Sequence, residues 1–169
     1  IVLPLSLTNA TLFTWILEMG VLALALSLLG AFVLPWVPLV MVFMVVFALF
    51  SVGLAMIFSI INVYFRDLAY LLTIVLQFWF YLTPILYPID LVVTQSDQLG
   101  GLVGTPITLL DVYSINPVQG FIEIFRNFLY DNRMPDLSTM LIALGWTVVA
   151  FGGGIWMYAT KEKQLAELL

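Results

Sequence analysis

Hydrophobic residues in this chain come in unbroken blocks rather than in alternation. Phe13–Leu34 carries one charge, Glu18, while Trp36–Ile61, Leu68–Tyr87 and Leu137–Thr160 carry none. Each block holds the ~20 apolar residues a helix needs to cross ~30 Å of hydrocarbon. Inside lipid the backbone must satisfy its own hydrogen bonds, which leaves helices or a closed barrel. Barrel strands would alternate with a period of two, and these blocks do not. The expected fold class is therefore all-α: a polytopic transmembrane helical bundle forming one domain over residues 1–169. Its spans fall at about residues 13–34, 36–61, 68–87 and 137–160.

The joints between blocks are legible too. Pro35-Trp36-Val37-Pro38 predicts a tight turn, with Trp36 suited to the headgroup level. Asn62-Val-Tyr-Phe-Arg-Asp67 joins the second and third spans, a polar loop over residues 88–136 joins the third and fourth, and a short charged tail begins at Lys161. Arg66, Lys161 and Lys163 lie on one side, against Arg126 and Arg133 in an otherwise acidic loop on the other. Basic residues near span ends mark the cytoplasmic face, so the Arg66 joint and the tail are placed there and the loop outside.

That loop carries structure of its own. Asn116-Pro117 reads as an N-cap followed by proline at the first helical position. Val118, Phe121, Ile122, Phe125, Phe128 and Leu129 then recur at helical spacing, with Gln119, Glu123, Arg126 and Asn127 on the opposite face. Upstream, Thr83-Pro84 and Tyr87-Pro88 break the third span, and Gly100, Gly101 and Gly104 supply a hinge. The expectation is an outer re-entrant or amphipathic helical pair.

Composition narrows the chemistry. Of 169 residues 63% are hydrophobic and 9% charged, against about 25% charged in soluble domains, so lipid must wet much of the surface. Histidine and cysteine are absent, which excludes thiol and imidazole catalysis and disulfides, and no metal site is expected. Five Lys and Arg in a chain of net charge −5 leave no basic patch for nucleic acid. No G-x-x-x-x-G-K-[ST] or G-x-G-x-x-G occurs, so no cofactor is expected on this chain. It opens at Ile1 without a basic n-region or a cleavage site, which reads as a processed or partial chain rather than a signal peptide.

Within the third span Tyr70, Thr73, Gln77 and Tyr81 recur at spacings of three and four and share a helical face. An amide at mid-membrane is costly against lipid; Gln77 either lines a wet pathway or glues one helix to another. Glu18, one turn beyond Thr14, is the one charge inside a span; it is either functional or hydrated near the cytoplasmic boundary. Arg66 anchors at the interface or meets a cytoplasmic partner, and Asp67 is expected to cap the third span. Ser51, Ala55 and Ser59, and Gly145 with Gly152–Gly154, form small-residue ridges suited to close helix packing.

The run Asn62-Val-Tyr-Phe-Arg-Asp-Leu68, then Leu76-Gln77, then Thr83-Pro84-Ile85-Leu86-Tyr87-Pro88, resembles the permease subunits of ABC-2 type exporters. It is most similar to those that export cell-envelope polysaccharides such as O-antigen, teichoic acid or galactan; Asn116-Pro117 and Phe125-Arg126 also fall where that family has its Asn-Pro and downstream Arg. The resemblance implies a six-span permease of which four spans are present, located in the bacterial cytoplasmic membrane. It implies a second copy of the chain and two separate ABC ATPase subunits that carry ATP and Mg, so the permease itself is not an enzyme. The implied cargo is a lipid-linked glycan that passes Tyr70, Thr73, Gln77 and Tyr81 among membrane lipid. Asn62, Tyr64, Phe65, Arg66 and Asp67 would lie near the ATPases, and Thr83, Pro84, Tyr87, Pro88, Asn116, Pro117, Phe125 and Arg126 would close the outer mouth. The rival readings are an ABC-2 permease for drugs or lipids and a membrane scaffold without transport.

Overall fold

The computed structural model describes residues 2–30, 33–65, 67–83, 87, 89–99 and 108–168, and among these it contains helices and no strand. Arg66, Pro84, Pro88 and the glycines at 100, 101 and 104 lie outside the described residues. In chain order the helices are α1 (Val2–Leu28), a 3-10 turn (Leu34–Trp36), α2 (Val37–Tyr64), α3 (Leu68–Leu82), α4 (Ile89–Leu99), α5 (Leu109–Ile115), α6 (Pro117–Leu129) and α7 (Leu137–Leu168).

Three helices are long and apolar enough to cross a membrane, over Thr11–Leu28, Leu34–Tyr64 and Leu137–Lys161. Their bounds differ from the apolar blocks in instructive ways. Helix α1 starts at Val2, well before the expected apolar block. It ends at Leu28, where Gly30 takes φ +89°, a left-handed conformation that glycine adopts without a Cβ penalty. The expected turn at Pro35–Pro38 is a 3-10 turn running into α2, with Pro38 in the first helical turn. Helix α2 continues to Tyr64, so Asn62 and Tyr64 are helical and the joint to α3 shrinks to Phe65–Asp67. The charged tail is likewise the end of α7, which runs to Leu168.

The third block yields the shortest apolar helix. Helix α3 has 15 residues, about 22 Å at 1.5 Å per residue, less than the ~30 Å of hydrocarbon. It stops at Leu82, and Thr83 is extended at φ −96° and ψ 129°, as a residue preceding proline prefers.

Aromatic contacts fix how the helices run. Phe121 of α6 packs on Phe47 and Phe50 of α2 at 4.9 and 5.8 Å, and Phe128 packs on Phe43 and Trp36 at 5.9 and 5.6 Å. Helix α6 therefore runs antiparallel to the first half of α2. Helix α3 leaves the end of α2 and rises beside its second half, its last turns facing Phe50, Leu54 and Ile57. The 15 residues of α3 and the 13 of α6 together match the 28 of α2. The chain thus returns along α2 in two pieces, with α4 and α5 inserted between them.

Helix α7 then runs parallel to α2. Glycine makes the close approach possible: a Cβ on Gly53 would overlap the backbone of Ala150 and Phe151, and one on Gly154 would stand 2.8 Å from the Gly53 carbonyl oxygen. The ridge expected over Gly145 and Gly152–Gly154 reduces to Gly154, tight against α2, and Gly153, whose Cβ would stand 3.8 Å from Ile57, since nothing lies within 4 Å of a Cβ on Gly145 or Gly152. Its counterpart on α2 is Gly53 rather than the Ser51, Ala55 and Ser59 row. Val40, Phe43, Met44 and Phe50 of α2, Phe121, Ile124, Phe128 and Leu129 of α6, and Ala143 and Ala150 of α7 form the core. Helix α1 covers its flank through Trp15, whose ring meets Phe47 at 5.4 Å and Phe125 at 5.5 Å.

Candidate functional site

Helix α3 has two different faces. Val75, Phe78, Trp79 and Leu82 look across an apolar cleft of 680 Å³ toward α2 and α7. The 100° step per residue puts Tyr70, Thr73, Gln77 and Tyr81 on the opposite side, turned away from the chain's own bundle. All four are exposed, Tyr70 by 75% and Tyr81 by 60%. The Thr73 hydroxyl donates to the Ala69 carbonyl at 3.0 Å, a local bond that settles its polarity within the helix. Gln77 makes no hydrogen bond among the described residues, so no neighbouring helix of this chain uses it as glue.

A compact hydrogen-bond knot joins the end of α3 to the start of α6. The Trp79 indole Nε1–H donates to Asn116 Oδ1 at 2.8 Å, and the Val118 backbone N–H donates to the same oxygen at 3.1 Å. Asn116 Nδ2 donates to Thr83 Oγ1 at 3.0 Å, and that hydroxyl donates onward to the Trp79 carbonyl at 2.8 Å. Thr83 is almost wholly buried and so is Pro117. Asn116 is therefore the N-cap the sequence predicts and also a bolt between the two halves of the broken span. Beside it the Tyr87 and Tyr113 hydroxyls lie 2.6 Å apart, and Tyr87 donates to the Tyr81 carbonyl at 3.1 Å. Sequence reasoning missed Trp79 and Tyr113; the signal was present, since a buried indole N–H needs an acceptor. Helix α5 begins with a capping box in which Thr108 and Asp111 exchange bonds, and the Thr108 donors hold the Asp111 carboxyl below the usual carboxylate range.

The α6 expectation needs one correction. Phe121, Phe128 and Leu129 are buried, but so are Gln119 and Asn127 from the face expected to be polar. Asn127 is drawn inside because Arg133 closes over it: Arg133 Nε donates to Asn127 Oδ1 at 2.8 Å and the Arg133 backbone N–H to the Asn127 carbonyl at 3.0 Å. Phe125 faces Trp15, and Arg126 is exposed while its carbonyl closes the helix by accepting from the Tyr130 N–H at 2.8 Å.

At the other end of the bundle Lys161 Nζ sits 5.7 Å over the Tyr64 ring, a cation–π contact that puts the end of α7 beside the end of α2. The α2–α3 joint and the Lys161 end therefore share one side of the molecule. Asn62, Phe65 and Asp67 are exposed there. Asp67 takes the N-cap position of α3 but makes no side-chain cap bond, because its backbone is already helical at φ −82° and ψ −1°; its carboxylate can act only through the helix dipole. Glu18 is exposed and lies seven residues after Thr11, where the apolar part of α1 begins. Among the described residues no group of His, Cys, Asp or Glu could hold a metal.

The described residues thus form a bundle of apolar helices with a polar stripe on α3 turned outward. Over 166 residues the sequence is 24% identical to the O-antigen export system permease protein RfbA of Myxococcus xanthus, covering 98% of this chain and 60% of that protein. The likeness is to an O-antigen export permease, and the chain spans three fifths of the length of the curated relative it matches. No family model matches the chain, and no solved structure matches it.

Proposed function

We propose that this chain is the membrane-spanning subunit of an ATP-driven ABC exporter that moves a lipid-linked cell-envelope polysaccharide across the bacterial cytoplasmic membrane. The carrying observation is the Tyr70, Thr73, Gln77 and Tyr81 stripe, exposed on α3 and turned away from the chain's own helices. A second copy of the chain facing that stripe would enclose a passage lined by aromatic rings and an amide, groups that stack on sugar rings and bond their hydroxyls. ATP and Mg belong on two separate ATPase subunits beneath the Phe65–Asp67 joint, because this sequence has no phosphate-binding loop.

The likeness to an O-antigen export permease supports the glycan as cargo. The apolar cleft between α3, α2 and α7 favours one second reading, a permease for free lipids or drugs. Purification in mild detergent at native expression separates the two. The glycan exporter elutes as two permeases with two nucleotide-binding subunits and carries glycan-linked lipid. Bound lipid without glycan supports the second reading, and elution without any nucleotide-binding subunit overturns both.

A further inference from the structure

Gln119 is buried at 6% exposure, and its Oε1 is sealed from water without a hydrogen-bond partner. Leaving an amide oxygen unpaired costs about 1–3 kcal/mol, and such a group in a native protein calls for a cause. Gln119 and Glu123, one turn apart on α6, form one wall of a recess of 310 Å³ beneath α4 and α5. Ser138 and Thr139 from the first turn of α7 form the opposite wall. Tyr113 and Val92 close the sides with an aromatic ring and an aliphatic surface. The recess lies at the end of α7 remote from the Lys161–Tyr64 contact, on the outer side in the proposed orientation.

The lining has one chemical character. It offers hydroxyls, an amide and one carboxylate, with no basic residue, so an anionic headgroup or phosphate has nothing to pair with. A single carboxylate is too few ligands for a divalent cation. A sugar ring fits this chemistry: its hydroxyls donate to carboxylate and amide oxygens and accept from Ser and Thr, while its C–H face lies on Tyr113 and Val92. The volume is at the small end of ligand pockets and holds one ring rather than a length of polymer. Gln119 Oε1 itself is sealed from the recess, so a ring there meets that oxygen only after a half-turn of the terminal torsion exchanges it with the amide nitrogen.

We propose that this recess is a subsite for one neutral, polyhydroxylated sugar ring, with Gln119 accepting or donating at one edge and Glu123 accepting at another. The proposal rests on the glycan-export reading and gives it a contact outside the α3 stripe. The test is saturation-transfer NMR on the full protein, in a detergent without a sugar headgroup, with methyl α-D-glucopyranoside, methyl α-D-mannopyranoside, methyl α-D-galactopyranoside and N-acetylglucosamine as probes. At least one probe should receive saturation, and its binding should weaken roughly tenfold, the equivalent of one hydrogen bond, in Gln119→Leu and in Thr139→Val. Gln119→Leu should also unfold at a temperature no lower than the parent, since it removes an unpaired amide; Thr139→Val serves should it fold poorly. The subsite is refuted if no probe receives saturation, or if both variants bind as the parent does. Such a result, with glycan-linked lipid still co-purifying, leaves the exporter reading intact. Sugar binding here without co-purifying glycan does the reverse.

Discussion

The Trp79 indole donates to Asn116 Oδ1 across 2.8 Å, joining two residues 37 positions apart in sequence. That bond sits at the break where a straight helix would have continued, and it explains why α3 and α6 can act as two halves of one segment. Asn116 also caps α6 and donates to Thr83, so one side chain satisfies groups on both halves. Asn116→Ala should lose the cap, worth ~1 kcal/mol, and leave the half-buried Trp79 N–H without its acceptor, worth up to a further ~1 kcal/mol. Asn116→Asp keeps both oxygen contacts and should cost less. Thermal unfolding in detergent checks the order: parent above Asp above Ala. Equal midpoints for Asp and Ala would show that the Trp79 bond contributes nothing.

Glycine substitutions should separate contact from composition. A Cβ on Gly53 would fall 2.6 Å from the Ala150 carbonyl oxygen, and one on Gly154 would fall 3.2 Å from Met56 Cβ. Backbone cannot step aside as a flexible side chain does, so Gly53→Ala and Gly154→Ala should each cost about 1–3 kcal/mol by forcing α2 and α7 apart. Gly145→Ala and Gly152→Ala meet open space and should stabilise the helix by about 0.5–1 kcal/mol. Melting curves of the four variants test this. A uniform response would mean that Gly53 and Gly154 are not the contact points.

The same residues show what the sequence makes legible. The Asn116-Pro117 cap and the break after Thr83 follow from local chemistry, since a side-chain acceptor and a missing N–H act within a few residues. The apolar blocks likewise fix which helices are long enough for lipid. Contacts between distant segments leave no such trace. Gly53 falls outside the Ser51, Ala55 and Ser59 row, and the approach of α7 shows its use. Gln119 and Asn127 belong to the polar face of α6 by periodicity, yet Arg133 and the α7 terminus cover that face. The expected span over residues 68–87 followed the apolar run, whereas α3 ends at Leu82, where the Thr83-Pro84 signal puts the break.

Membrane sidedness can be read with single cysteines, because the chain has none of its own. Cysteine at Asp67 and at Lys161 should react with an impermeant maleimide from the cytoplasmic side, and cysteine at Met134 from the outside. The Lys161–Tyr64 contact already groups the first two. The informative position is Asp67: at 15 residues α3 is short of a full crossing, and α6 must supply the rest. Labelling of Asp67 and Met134 from the same side would mean that the α3–α6 path does not cross the membrane.

Exposure on α3 makes the last prediction a sharp one. Tyr70 and Tyr81 are 75% and 60% exposed, and Gln77 is exposed between them, so truncating them removes little within the chain beyond the edge contact of Tyr81 with Phe80 at 5.7 Å. Surface substitutions of this kind usually change stability by less than about 0.5 kcal/mol. If the face were merely turned to lipid, Gln77→Leu would be neutral or stabilising and transport would continue, because an amide in hydrocarbon costs a few kcal/mol. If the face lines the passage, Gln77→Leu and Tyr81→Ala should leave melting temperature and ATPase association unchanged while cell-surface glycan falls severalfold. The rings explain the expected ranking: Tyr81→Phe keeps the stacking surface and loses one hydroxyl, so it should retain more export than Tyr81→Ala. Surface-glycan staining of cells carrying each variant decides the matter. Normal export by both Gln77→Leu and Tyr81→Ala, at normal expression, would remove the stripe from the pathway.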